Sequence, residues 1–283
     1  MTRNNNIRTG SPEDLTPPQD NPPPTTGFFF PESIAPADLP TKGLLYPNGH
    51  PLHGKEFVEI REITTKEEEI LTNKELVRKG MALDKVLANC LVDKSIKIDT
   101  LYVGDKNAIV VALRKLSYGS SYKTSVLCPS CGEKSAHEFN LDDVPIKAIE
   151  EASSFNNGTF TISIEVDDKS GNKQNLNLEM KLLTDKDETN LRLLTEKREK
   201  NNLPKSQIQD LLQAIIVSVN DDRDRRNIEK FVEYCPSKYS KKIREEYNRI
   251  APNLDLTQNF DCPKCNDTSI INIPFNAEFF WPR

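Results

Sequence analysis

Four of the six cysteines form two pairs with the same spacing, one in LCPSCGE (residues 127 to 133) and one in DCPKCND (residues 261 to 267). A C-x-x-C turn places two thiolates on one side and lets backbone N–H groups point at the sulfurs. One turn supplies two ligands, whereas a structural zinc ion takes four in a tetrahedron. The two pairs together therefore predict one shared structural Zn2+ site per chain, with the ligands Cys128, Cys131, Cys262 and Cys265.

The residues around the cysteines support a common backbone conformation for the two turns. Each first cysteine is followed by proline, which stiffens the turn. Each second cysteine is followed by a residue that tolerates positive φ, Gly132 in one turn and Asn266 in the other.

Two other uses of the cysteines remain open as alternatives. A C-x-x-C pair also serves thiol oxidoreductases, but neither pair here opens a helix after a buried strand, the setting that lowers a thiol pKa. A disulfide within each pair is the weakest alternative, because the ring is short and strained and the expected compartment is reducing. The remaining cysteines, Cys90 and Cys235, are predicted to be buried free thiols.

The sequence does not indicate an enzyme. Four thiolates close the coordination shell of a zinc ion, so the metal is expected to stabilise the fold and not to catalyse. His137, Asp142 and Asp143 lie just past the first pair, but a histidine in an alternating strand is more often a surface or packing residue. The chain contains no glycine-rich phosphate loop, H-E-x-x-H or G-x-S-x-G motif, and we expect no small-molecule substrate.

Charge and hydropathy exclude two classes of partner. The 38 basic and 43 acidic residues give a net charge of −5, so the chain has no basic excess for phosphates and nucleic acid is not expected. No apolar run approaches the roughly 18 residues of a membrane span. The first 30 residues are polar and proline-rich, unlike a signal peptide, which predicts a protein that stays in the cytosol where it is made.

The elements that must position the cysteines are strands. SYKTSVL and EKSAHEFNL flank the first pair, and LDLTQNF and TSIINIPF flank the second. We therefore predict a split zinc ribbon whose halves are residues 119–144 and 255–283. The residues between them, 145–254, form an insertion with a hairpin (GTFTISIEV and QNLNLEMKLL) and a helical region from residue 184 to 250.

Helical patterns dominate the rest of the chain. Residues 46–118 are predicted to be a strand, KEFVEIREI, followed by a helical bundle whose first helix begins at a capping box of Thr65 and Glu68. In the insertion, SQIQDLLQAIIVSV has an apolar face wide enough for a core helix. The predicted fold class is therefore α+β, with a mainly helical body, the split ribbon, the hairpin and a disordered or extended N-terminal arm.

Aromatic residues are concentrated near both ends of the sequence. Residues 1–45 are rich in proline and lack regular apolar periodicity, which predicts an extended arm. Phe28, Phe29 and Phe30 either anchor this arm on a partner or fold back onto the body. Phe279, Phe280 and Trp281 likewise either cover the ribbon and helices or belong to an assembly interface.

The order of several segments resembles one known family. These segments are LPTKGLLYPNG, VEIREITTKEEEILTNKELVRKG, LDKVLANCLVD and YVGDKNAIVVALRKLSYGSSYKTSVLCPSCGE. Over roughly residues 39 to 140 the chain is similar to the baseplate hub subunit family of T-even-type contractile-tailed bacteriophages (myoviruses). The stretch GDKNAIVVALRKLSYGSSY with the following cysteine turn is the most specific part.

This resemblance implies a non-enzymatic structural or assembly protein of the tail baseplate. Its partners would be other baseplate and hub proteins, and it would be assembled in the bacterial cytoplasm and reside in the virion. The alternative from a different class is a cellular zinc-ribbon adaptor or regulator that binds nucleic acid or a polymerase. Charge distinguishes the two, because Lys134 and Lys264 near the turns are offset by Glu133, Asp261 and Asp267.

Overall fold

The structure is a computed structural model that describes residues 30–149, 155–156, 158–167, 172–274 and 277–280. The α-helices of these residues are α1 (Thr65–Thr72), α2 (Lys74–Arg78), α3 (Ala82–Cys90), α4 (Val103–Tyr118), α5 (Asp185–Lys200), α6 (Gln207–Ile215), α7 (Arg225–Tyr234) and α8 (Ser237–Ile250). The strands are β1 (Ile34–Asp38), β2 (Phe57–Arg61), β3 (Ser121–Leu127), β4 (Lys134–Asn140), β5 (Ile146–Lys147), β6 (Phe155–Asn156), β7 (Thr159–Asp167), β8 (Lys173–Lys181), β9 (Ile216–Val219), β10 (Asn253–Leu254), β11 (Thr257–Asp261) and β12 (Thr268–Asn272). Short 3-10 helices cover Ile98–Thr100, Leu141–Asp143 and Ala277–Phe280.

The fold is mixed, and the prediction of a mainly helical body is wrong. Of the described residues, 40% are helical and 28% are in strands, which form five small sheets. Four of these sheets have two antiparallel strands, and the fifth has the order β6-β7-β8-β9. The underestimate has a physical cause, because several short strands have too few residues to display a period of two.

One such strand follows directly from a predicted core helix. The SQIQDLLQAIIVSV segment is helical only as far as Ile215, and β9 begins at Ile216. The β-branched residues of β9 pair with the edge of β8, next to the hairpin that β7 and β8 form as predicted. The apolar spacing alone would allow α6 to continue beyond Ile215. Pairing with the edge of β8 makes this segment a strand instead.

The first strand of the N-terminal sheet, β1, lies within the segment predicted to be an arm. Strand β1 pairs antiparallel with β2, the strand predicted from KEFVEIREI. Ala37, Leu39 and Leu45 are almost fully buried. The described residues from Glu32 onward belong to one compact unit.

A buried carboxylate holds the loop after β1 against helix α4. Asp105, in the first turn of α4, accepts hydrogen bonds from the Thr41 N–H (3.0 Å), the Thr41 hydroxyl (2.6 Å) and the Tyr46 hydroxyl (2.8 Å). Three donors compensate for the cost of burying this side chain. The loop from residue 39 to 54 is therefore part of the folded body.

The capping box of α1 consists of Thr64 and Glu67, one residue earlier than the predicted pair of Thr65 and Glu68. The carboxylate of Glu67, not that of Glu68, accepts from the backbone N–H and hydroxyl of Thr64. Glu67 is fully buried and also forms an ion pair with Arg61 of β2 at 2.9 Å. Burial alone would raise the pKa of Glu67, but the hydrogen bonds from Arg61 and Thr64 outweigh it and lower the pKa to about 2.

The apolar side chains form two main cores. The first surrounds α4, whose Ile109 and Leu113 are fully buried, and includes β1, β2, α3 and the bases of the two cysteine hairpins. The second lies between the four-stranded sheet and helices α6 to α8. Tyr102 packs against both cores, just before the start of α4.

The insertion is tied closely to the first core at the N-terminus of α4. A Cβ atom on Gly104 would lie 2.1 Å from the carbonyl oxygen of Pro252, so only glycine permits this approach. Next to it, the Asn107 side chain donates to Asn253 Oδ1 at 3.1 Å. None of the helices in the described ranges has the length and apolar character needed to cross a bilayer.

Candidate metal centre

Two hairpins present the cysteine turns. The β3–β4 ladder ends at the pair Leu127 and Lys134, and the β11–β12 ladder ends at Asp261 and Thr268. The cysteines therefore occupy the turn at the tip of each hairpin, as the flanking strand patterns predict. Antiparallel pairing up to the residue before each first cysteine fixes the direction in which the turn projects.

The backbones of the two turns make the same hydrogen bonds. In the first turn, the Cys128 N–H donates to the Glu133 carbonyl (2.8 Å) and the Gly132 N–H to the Cys128 carbonyl (3.0 Å). In the second, the Cys262 N–H donates to Asp267 (3.0 Å) and the Asn266 N–H to Cys262 (2.9 Å).

The residue after each second cysteine adopts the predicted conformation. Gly132 has a φ of +71° and Asn266 a φ of +56°. Both values lie in the left-handed region, which glycine and asparagine tolerate best. The two turns are thus equivalent in backbone as well as in sequence.

The structure brings the four predicted ligands together. Their sulfur atoms all lie within 4.8 Å of one another. The Sγ atoms of Cys128 and Cys265 are 3.8 Å apart, and those of Cys131 and Cys262 are 3.7 Å apart. Four sulfurs placed about 2.3 Å from a central ion define a tetrahedron with edges of about 3.8 Å. The donor set and its spacing therefore fit one tetrahedral ion.

The structure contains no disulfide among the cysteines. All six cysteines are free. The sulfur contacts of 3.8 and 3.7 Å run between the two turns, which is the arrangement expected of one site shared by both turns. Cys90 is buried as predicted, whereas Cys235 is partly exposed, so the prediction of burial for Cys235 is wrong.

The thiol pKa is shifted in opposite directions at Cys262 and Cys265. Hydrogen bonds from the backbone N–H groups of Cys265 and Lys264 lower the pKa of the Cys262 thiol to about 7. A hydrogen bond from the Asp267 N–H acts in the same direction on Cys265, but desolvation and the neighbouring thiols outweigh it and raise that pKa to about 12. Closely spaced thiolates repel one another, and a divalent cation bound between them offsets that repulsion.

Reciprocal polar contacts that were not predicted from the sequence join the two turns. The Ser130 hydroxyl donates to Asp267, and the Lys264 ammonium pairs with Glu133. In each case the residue two positions after a first cysteine contacts the residue five positions after the other first cysteine. This matching spacing is a signal that the sequence contained.

A small apolar cluster between the two hairpins packs against two of the cysteines. Cys128, Cys262 and Phe260 are buried together, and Val126 and Ile271 pack against them. The ring of His137 makes edge contacts with Phe139 (4.6 Å between centroids) and Phe260 (5.3 Å). His137 is thus a packing residue between the hairpins, in agreement with the sequence analysis. Cys131 and Cys265 face solvent.

The aromatic residues predicted as partner contacts differ in burial. Phe279 and Phe280 are 1% and 3% exposed and belong to the first core, which favours the interpretation that they cover the body. The buried guanidinium of Arg114 holds this segment by donating to the Phe279 carbonyl at 2.8 Å. Phe30 is 85% exposed. Phe28, Phe29 and Trp281 lie outside the described residues.

Comparisons with known proteins identify one family. A family model described as T4 bacteriophage base plate protein matches residues 50–281, which include both hairpins and the whole insertion. Neither the comparison with curated proteins nor the comparison with solved structures gave a match. Because the matched region covers most of the sequence, the chain belongs to the T4 bacteriophage base plate protein family.

Proposed function

We propose that this protein is a hub-associated structural or assembly component of the tail baseplate, and that one structural zinc ion joins the two ends of its insertion. Membership of the family makes it a phage baseplate protein, with other baseplate proteins as partners and the virion tail as its location. A structural family also indicates a non-enzymatic role.

The observation that carries the zinc proposal is the convergence of four thiols from two distant hairpins. Cys128, Cys131, Cys262 and Cys265 are the proposed ligands. The first hairpin immediately precedes the insertion and the second immediately follows it, so an ion held by both closes the insertion at its base. Structural zinc contributes on the order of 10 kcal/mol in favourable peptide cases.

Hub association rests on the resemblance of residues 39 to 140 to hub subunits. Much of this region forms the first core, including α4, whose Asp105 accepts hydrogen bonds from the loop after β1. We propose assembly in the host cytoplasm, where reducing conditions keep the thiols available for the metal.

The arm aromatics are the proposed anchors for a baseplate neighbour. Phe30 is 85% exposed, and a large exposed aromatic ring is an energetically favourable contact for a partner. Phe28 and Phe29 precede it directly in sequence, and we propose that all three residues contribute to this contact.

The charges near the turns do not favour the alternative of a nucleic-acid adaptor. Lys264 is paired with Glu133, and Asp267 adds a further negative charge on the same surface. A nucleic-acid ribbon needs unpaired cations that can neutralise phosphates.

Localisation in isolated baseplates tests the hub proposal. Gold labelling of an epitope-tagged full chain should place the label on the central axis of the baseplate, with a tagged peripheral baseplate protein as the control. Label at the periphery would contradict hub association. Absence of the protein from both finished baseplates and their assembly intermediates would contradict the whole proposal.

A further inference from the structure

A cleft of about 690 Å³ lies where the two main cores meet. Tyr102, which packs against both cores, forms part of its wall. Helices α6 and α8 form one side, and the chain that leads from α8 into the second hairpin forms another. The volume is in the range that accommodates several side chains of a bound ligand.

The cleft combines an apolar wall with cationic groups. Leu211 and Ile215 of α6 line the apolar wall. Lys147 and Arg244 line the cleft as well, and Asp255 is an acidic residue among the lining side chains. Asp255 turns one carboxylate oxygen towards its own chain, accepting from the Thr257 N–H (3.1 Å) and hydroxyl (2.6 Å).

Arg244 differs from Lys241 and Arg249, two other cations of α8 that form ion pairs with carboxylates. Lys241 pairs with Glu245, and Arg249 pairs with Glu246 at 2.9 Å. The Nε atom of half-buried Arg244 donates only to the Ser240 carbonyl, at 3.3 Å. In the part of the chain that the structure describes, no carboxylate forms an ion pair with its guanidinium. A partly buried guanidinium without a carboxylate keeps its forked donors available for one.

We propose that this cleft binds an acidic segment of a neighbouring baseplate protein. A carboxylate of that segment takes the forked donors of Arg244, and an adjacent aliphatic side chain packs on Leu211, which is partly exposed. The guanidinium of Arg244 complements an acidic segment, and the apolar wall supplies the desolvated surroundings in which a charged pair is selective. The inference rests on the proposed baseplate function and extends it by naming the chemistry of the partner.

The same cleft is poorly suited to nucleic acid. Its tyrosine hydroxyls are already engaged, with Tyr102 donating to the Leu45 carbonyl and Tyr247 accepting from the Leu183 N–H. The leucine and isoleucine wall offers no phosphate contact, and the chain has a net charge of −5.

Site-specific photocrosslinking in phage-infected cells tests this proposal with the full chain. The photoreactive residue benzoylphenylalanine replaces Asn248, an exposed residue that lines the cleft. The control places it at Tyr234, which is 76% exposed on α7. We expect position 248 to crosslink, at least about tenfold more than position 234, to one protein segment that carries Asp or Glu and an aliphatic residue.

Charge reversal identifies the residue responsible. Arg244→Glu should reduce the yield of the crosslink at position 248 about tenfold, because it replaces the guanidinium that binds the partner's carboxylate with a second carboxylate. Arg249→Glu, a matched reversal at an exposed position of the same helix, should leave it unchanged. Equal melting temperatures of the two variants ensure that the loss reflects binding and not unfolding.

Several results would overturn the inference. These are crosslinks to nucleic acid, crosslinks to a segment without a carboxylate, or a yield that Arg244→Glu does not change. The amount of the protein in isolated baseplates is measured on the same samples. Baseplates that contain the protein without the crosslink would overturn the cleft proposal alone, whereas a protein absent from baseplates would overturn the proposed function as well.

Discussion

At the scale of single residues, equivalence of the two cysteine turns is the main result. Gly132 and Asn266 share a positive φ, and each first cysteine makes the same backbone hydrogen bonds. Sequence spacing was sufficient to predict the four clustered thiols, because turn chemistry is local. The cross-turn contacts of Ser130 and Lys264 could not be assigned in advance, because they depend on how the hairpins approach each other.

Matched substitutions in the two turns test whether they form one site. Cys128→Ser and Cys262→Ser each leave three thiols, so both should lower the free energy of unfolding by several kcal/mol and by similar amounts. Both should also lose bound zinc. Thermal unfolding and metal analysis measure the two effects, with Cys235→Ser as a control that changes neither. Unequal losses of stability would indicate two independent sites.

A second residue-scale prediction concerns the buried carboxylate of Glu67. Replacement by glutamine removes the charge that pairs with Arg61, and should cost about 3 kcal/mol at neutral pH. Glu69→Gln, at an exposed position of the same helix, should have little effect.

The pH dependence of that loss has a defined sign. The pKa of Glu67 is lowered from 4.5 to about 2 by folding. Its stabilising contribution is therefore present above pH 4.5 and is lost as the pH falls towards 2. Chemical denaturation should show the difference between wild type and Glu67→Gln shrinking over this window. A difference that stays constant down to pH 2 would contradict the assignment.

At the scale of elements, the sequence predicted the start of a helix better than it predicted where a helix ends or where a short strand forms. Thr184 caps α5 and Asp187 completes its capping box, at the position where the sequence placed the helix start. Strand β9 was missed because its apolar residues continue the spacing of α6. Strand β1 was missed because its IAPAD sequence contains proline and lacks a regular alternation. In both cases a partner strand distant in sequence determines the conformation.

Burial of the C-terminal aromatic segment gives an element-scale prediction. Phe279→Ala should cost about 3 to 5 kcal/mol, because it opens a cavity beside Tyr122 and Phe280. Phe30→Ala, at a position 85% exposed, should change stability by less than about 0.5 kcal/mol. Chemical denaturation of both variants measures the contrast. Similar effects of the two substitutions would contradict the assignment of Phe279 to the core.

At the scale of the whole molecule, the described residues from Glu32 onward form one compact unit that contains two main cores and the cysteine cluster. The first core contains the bases of both cysteine hairpins, and the insertion supplies the second. Composition and charge predicted a protein without a nucleic-acid or membrane role, but they did not predict the five sheets found among the described residues. The number of sheets depends on pairings between distant segments, which composition does not encode.

The central claim is that the two cysteine turns share one structural zinc ion. Metal analysis of the purified full chain tests it most directly, because the number of ions per chain distinguishes a shared site from separate sites. We expect one zinc ion per chain. A content of zero, or of two, would contradict it.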